Sequence, residues 1–183
     1  MSEIIPAILA TSVADLTDKL NQIPKEIKLV HIDVLEQDFW TDGIGVNFEA
    51  HLMVREPAEI IDRWVTRGAK RIIVHTIKNH VPKPVEIGLG VELHTPLEEI
   101  FPFVSEVDFL NLMSIAQIGA QGHPFEPRIF DRIKRVKEKF PQAVLSIDGG
   151  INTTNYQALR DAGAERLVVG SGFKALWNLL TKK

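Results

Sequence analysis

The sequence predicts an α/β fold, a single (β/α)8 TIM barrel over residues 1–183 that lacks the helices after its second and fourth strands. Short apolar, β-branched runs alternate with stretches of helical period, which is the pattern of βαβ units around a parallel sheet. There are eight such runs, the number that closes a barrel of this class. Three of them also carry ionisable side chains where the apolar run gives out, the end at which such barrels build their catalytic mouths.

The predicted strands are Ile4 to Leu9, Lys28 to Asp33, Glu49 to Val54, Arg71 to His75, Ile87 to Leu93, Asp108 to Met113, Ala143 to Ile147 and Arg166 to Val169. After the first, Ser12 can cap a helix that runs to about Gln22. Pro57 opens a second helix, which passes Trp64, reaches about Arg67 and stops at Gly68. Pro96 opens a short one ending near Phe101, and Pro127 to Phe140 forms a long one. Thr153 or Thr154 starts Asn155 to Ala162, which Gly163 closes, and a last helix spans Phe173 to Leu180.

Two crossovers offer no helix. Leu35 to Phe48 contains Gly43 and Gly45 without a helical period, and in Thr76 to Glu86 Pro82 and Pro84 forbid a helix interior. A parallel connection ordinarily covers the sheet with a helix. The bared strand faces therefore need cover, from a homo-oligomeric partner or from the loop's own Phe39 and Trp40.

Composition narrows the function. A 183-residue chain with 45% hydrophobic and 25% charged residues is ordinary globular material. Its mean hydropathy is near zero, which offers no membrane span. A net charge of -3 with scattered basic residues argues against a nucleic-acid surface. The absence of cysteine excludes a disulfide framework, and Met1 to Pro6 lack a basic segment followed by an apolar one. The expected compartment is the cytoplasm.

His31 and Asp33 lie two apart on one strand, so both point to the same side, the barrel interior. The ends of the second, third and seventh strands would bring them together with His51 and Asp148. Unpaired charge in a core costs several kcal/mol or more, and a divalent metal is the simplest group that satisfies all four. Two imidazoles and two carboxylates suit zinc, iron(II), manganese(II) or cobalt(II) rather than magnesium or calcium. Each residue alone also reads as a satisfied core histidine or a strand-end cap; the coincidence at matching strand ends favours the metal.

Gly149 and Gly150 follow the seventh strand, and Gly170-Ser171-Gly172 follows the eighth and opens a helix. Such turns let backbone N–H groups approach an anion, and this is the commonest phosphate site of the architecture. A metal holding a ketone and an adjacent hydroxyl stabilises the enediolate formed when the carbon between them loses a proton. Two carboxylates on opposite faces of that carbon can remove a proton from one side and return it to the other, giving the epimer.

These residues resemble the ribulose-phosphate 3-epimerase family over nearly the whole chain. The likeness rests on Pro6-Ala7-Ile8-Leu9, Ala14-Asp15-Leu16, His31-Ile32-Asp33-Val34, Ala50-His51-Leu52-Met53-Val54 and Ile73-Val74-His75. It continues through Thr95-Pro96-Leu97-Glu98, Leu112-Met113-Ser114, Ile147-Asp148-Gly149-Gly150-Ile151-Asn152, Ala162-Gly163-Ala164 and Val168-Val169-Gly170-Ser171. The resemblance implies metal ligands at His31, Asp33, His51 and Asp148, with Asp33 and Asp148 as the acid/base pair. It also implies phosphate contacts at Gly149, Gly150, Gly170 and Ser171, shielding of the enediolate by Met53 and Met113, and a D-ribulose 5-phosphate or D-xylulose 5-phosphate substrate in the pentose phosphate pathway.

The chain departs from the family's pattern in places. A substrate-contacting serine is replaced by Ala10, and Leu35-Glu36-Gln37 removes another shielding methionine. The loop after the sixth strand becomes Ala116 to His123, in which Gly119 and Gly122 still offer backbone donors. These changes admit a related ketose phosphate as substrate. They also admit a second reading, a catalytically inactive sugar-phosphate-binding or assembly protein derived from the epimerase fold. His75 reads as structural more readily than as a substrate contact. Lys78 lies past its strand, where a Schiff-base role is disfavoured, and Asp33 to Asp38 has leucine where the superfamily's decarboxylases need lysine.

Overall fold

Apolar residues on both faces of short strands require cover on both sides, and the chain meets that need by closing its sheet. The computed structural model describes residues 2–76 and 84–182. Its strands are β1 (Glu3–Leu9), β2 (Leu29–Val34), β3 (Asn47–Leu52), β4 (Arg71–Val74), β5 (Glu86–Val91), β6 (Phe109–Met113), β7 (Leu145–Asp148) and β8 (Arg166–Val169). All neighbours pair in parallel, and β1 joins β8 to complete the barrel in sequence order. The predicted (β/α)8 class therefore holds, with strand bounds shifted by one or two residues; Asp148 is the last residue of β7 rather than the first beyond it.

Outside the barrel lie α1 (Val13–Asn21), α2 (Ile61–Thr66), α3 (Leu97–Ile100), α4 (Ile129–Lys139), α5 (Tyr156–Asp161) and α6 (Phe173–Thr181). Ser12 caps α1 as expected, its hydroxyl accepting from the Asp15 N–H at 3.1 Å. Two helical segments depart from the expected form. Pro57 begins a 3-10 turn that ends at Glu59, and the chain re-enters helical geometry only after Ile60, whose φ is -120°. After α3, Phe101–Glu106 continues as 3-10 helix, where Pro102 supplies no N–H for an α-helical bond.

The loop after β2 carries no helix, as the sequence indicated. Its cover comes from the loop itself. Trp40 packs at 5.5 Å ring to ring against both Phe48 and Trp64, and the Arg67 guanidinium lies 4.8 Å from the Trp40 and Trp64 rings while bonding Asp38. Trp40, Ile44 and Val46 join the core there, whereas Phe39, expected to share the task, is half-buried and outside that cluster. Of the second helix-free crossover, residues 77–83, including Lys78 and Pro82, lie outside the described residues.

One apolar cluster lies between β1–β4 and helices α1 and α2, and a second between β5–β8 and helices α3 to α6. The barrel interior is different. At its amino-terminal end Glu3, Glu49, Glu86, Arg71 and Arg166 form a charged plug: Arg71 bonds Glu49 at 3.1 Å and Glu3 at 3.2 Å, and Arg166 bonds Glu86 at 2.9 Å. Phe109 fills the space beside it, under the Arg166 guanidinium, because Gly88 leaves room for the ring. Among the described residues no helix is long and apolar enough to cross a membrane.

Candidate metal centre and active site

Strand register builds the site. In β2 and β3 Asp33 pairs with His51 and His31 with Glu49, and in β6 and β7 Met113 pairs with Asp148. Alternation turns His31, Asp33, Glu49, His51, Asn111, Met113, Ser146 and Asp148 to the interior. His31 and His51 are wholly buried, while Asp33 and Asp148 keep a small exposed edge toward the mouth.

One donor atom from each of His31, Asp33, His51 and Asp148 lies within 4.8 Å of the others. His31 Nε2 is 3.2 Å from Asp33 Oδ1 and 3.7 Å from Asp148 Oδ2. His51 Nδ1 is 3.6 Å and 3.5 Å from the same two oxygens, and 3.2 Å from His31 Nε2. Four atoms each about 2.1 Å from one cation stand roughly 3.0–4.2 Å apart, and the spacings of 3.2–3.7 Å that His31 and His51 make with each other and with the two carboxylates fall in that range.

The electrostatics agree with that geometry. Burial opposes charge on His31, but its hydrogen bonds to Asp33 and Glu49 outweigh it and hold the imidazole well above its ordinary range. His51 is raised against the same burial by Asp148 and Asp33. Burial would raise the Asp33 carboxyl, yet its bonds to His31 and His51 drive it well below the usual carboxylate range. The pocket's field thus favours positive charge.

Three further polar residues stand behind the quartet. Glu49, buried, accepts from His31 Nδ1 at 2.7 Å, and burial is overcome by His31 and Arg71, which keep its carboxyl below its ordinary value. His75 Nε2 lies 2.8 Å from His51 Nε2, and burial followed by the His51 charge lowers His75 to about 4. Asn111 Nδ2 donates to Asp148 Oδ2 at 3.3 Å. Sequence reasoning overlooked Glu49 and Asn111 and read His75 as structural. Strand parity could have found them: Glu49 is two residues before His51, and Asn111 two before Met113.

The mouth above the quartet is lined by Asp33, Asp148, Met53, Met113, Gly149, Gly150, Gly170 and Ser171, and by Gly119 and Gly122 of the loop after β6. Every expected site residue lines this cavity or, for His31 and His51, lies beneath it. The free space is about 50 Å³, and Gln121 reaches across the rim to donate to the Ala7 carbonyl at 3.2 Å. Gly149 and Gly150 have φ of 112° and 65°, and a Cβ on Gly150 would lie 2.7 Å from the Phe125 Cα. Only glycine fits that turn.

The ribulose-phosphate 3 epimerase family model matches residues 3–174. This chain belongs to that family. A ribulose-phosphate 3-epimerase of Chlamydia muridarum is 31% identical over 93% of this chain and 87% of its own length. One from Schizosaccharomyces pombe is 27% identical over 93% and 86%. Among solved structures, KGPDC from Streptococcus mutans superposes with a TM-score of 0.71 over 96% of this chain and 90% of that one, at 10% identity, a likeness of fold alone. As a member of the ribulose-phosphate 3-epimerase family the chain is an isomerase of the epimerase type, and its buried His/Asp quartet is a site that could hold a metal ion.

Proposed function

We propose that this family member epimerises C3 of a phosphorylated ketose, D-ribulose 5-phosphate to D-xylulose 5-phosphate or a close relative. The observation that carries the reading is the placement of Asp33 and Asp148, which enter one cavity from β2 and β7 beside two buried imidazoles.

His31, Asp33, His51 and Asp148 would hold one divalent ion, zinc, iron(II), manganese(II) or cobalt(II). When bound, that ion supplies Lewis-acid polarisation of the substrate's carbonyl and hydroxyl oxygens. Asp33 and Asp148 exchange protons with C3: one carboxylate removes the proton, the enediolate forms, and the other returns a proton from the opposite side. Met53 and Met113 exclude water from the planar intermediate. Gly149, Gly150, Gly170 and Ser171, with Gly119 and Gly122 on the loop, offer backbone N–H groups to the phosphate. A phosphate held at these turns would lie beside Gln121, which donates to the Ala7 carbonyl at 3.2 Å across the rim.

The test is an epimerisation assay over a panel of ketose phosphates with protein analysed for its metal content. Asp33→Asn and Asp148→Asn should each lower turnover at least about a hundredfold, the scale of a lost general acid or base. Full turnover in both variants would end the assignment.

A further inference from the structure

We propose that Glu49 and His75 are positioning residues of the metal centre, which lock the two buried histidines in opposite tautomers so that His31 faces the ion through Nε2 and His51 through Nδ1. This inference rests on the metal-site reading above.

For His31 the argument begins at the charged plug. Arg71 bonds Glu49 Oε2 at 3.1 Å, and Glu49 Oε1 lies 2.7 Å from His31 Nδ1, with both side chains fully buried. A carboxylate can only accept, so the His31 proton sits on Nδ1 and the Nε2 lone pair is left for the quartet. Arg71 is fixed in turn by Glu3 and by Glu86 at 3.4 Å. The orientation of one ligand is thus transmitted from the far end of the barrel through a chain of ion pairs.

For His51 the facing nitrogens are reversed. Nδ1 is the atom near Asp33, Asp148 and His31, and Nε2 points away to His75 Nε2 at 2.8 Å. A ligating nitrogen carries no proton, so a neutral His51 bears its proton on Nε2 and donates it to His75. The two rings lie edge to edge, with centroids 5.1 Å apart and planes 22° from parallel, so the two Nε2 atoms face each other. Room for the His75 ring exists because residue 90 is glycine; a Cβ there would lie 2.8 Å from His75 Cε1 and Nε2. Outer partners that fix a ligand's tautomer and ring plane commonly change metal affinity by about 10–100-fold.

The test uses the full chain, histidine-labelled with nitrogen-15 and loaded with zinc. Long-range proton–nitrogen spectra should show His31 protonated at Nδ1 and His51 at Nε2; the opposite tautomer at either residue overturns the inference. Co(II) affinity, measured by competition with a chelator and by the visible spectrum, supplies the second readout. Glu49→Gln should weaken binding by about 10–100-fold. His75→Phe, which keeps the ring volume but cannot accept, should weaken it about tenfold, whereas His75→Gln, which can accept, should stay near wild type. Gly90→Ala, which crowds the His75 ring without changing its chemistry, should match His75→Phe. A purely packing role predicts the reverse order for the two His75 variants, and that order overturns the inference even if Glu49→Gln does not fold. Wild-type protein that binds no Co(II) overturns the metal reading itself, and this inference with it.

Discussion

Asp33 and His51 are register partners on β2 and β3, and Asp33 Oδ1 lies 3.6 Å from His51 Nδ1. The contact is a direct product of strand pairing, since one residue of slippage would carry His51 out of the barrel. His51→Ala should therefore abolish tight metal binding, with Co(II) affinity down at least about a hundredfold, more than an outer partner would cost. Elemental analysis of dialysed protein checks it: one ion per chain in wild type and a substoichiometric amount in the variant.

Metal loading should release protons. His31 and His51 are both raised above the ordinary imidazole value by the carboxylates around them, so protons compete with a cation for these nitrogens more strongly than at a free imidazole. The sign follows: affinity falls as pH falls, because more protons must leave. Calorimetric titration of zinc at pH 7 in buffers of different ionisation enthalpy should report net proton release. An observed enthalpy independent of buffer would contradict this.

Gly150→Ala should separate phosphate recognition from metal binding. The left-handed φ of 65° and the 2.7 Å approach to Phe125 Cα mean that a methyl group strains or moves the turn. Strain of roughly 1–3 kcal/mol is expected in chemical denaturation. KM for the ketose phosphate should rise at least about tenfold while Co(II) affinity stays unchanged, since the turn lies outside the donor set.

Trp40→Ala tests the cover over the helix-free flank. Trp40 is half-buried against Phe48, Trp64 and Arg67. Its loss should cost about 2 kcal/mol in unfolding free energy, less than the ~3–5 kcal/mol of a fully buried tryptophan. Turnover of the folded variant should be unaffected, as the flank is remote from the mouth.

The fold and the donor quartet were legible because both obey short-range rules. Period-2 alternation sets which residues face inward, and strand ends set their height, so His31, Asp33, His51 and Asp148 could be assembled before any contact was known. Glu49 follows the same rule, but as the first residue of its predicted strand it read as a boundary; β3 begins two residues earlier, at Asn47. The plug of Glu3, Glu86, Arg71 and Arg166 was not legible at all. Its members sit on four strands, each looks like an ordinary polar strand start, and only barrel closure, which pairs Glu3 with Arg166, brings them to the Arg71 and Glu86 pair of β4 and β5. The Trp40 contact with Arg67 is similarly a product of tertiary packing, although an aromatic pair in a helix-free loop did point to that face.

Solvent deuterium exchange tests the central claim most directly. Metal-replete protein incubated with D-ribulose 5-phosphate in deuterium oxide should place deuterium at C3 of both the epimer formed and the recovered ketose, because carboxylates that exchange protons with C3 also exchange them with solvent. A protein that binds both the ion and the sugar phosphate yet leaves C3 undeuterated and unepimerised would contradict the account.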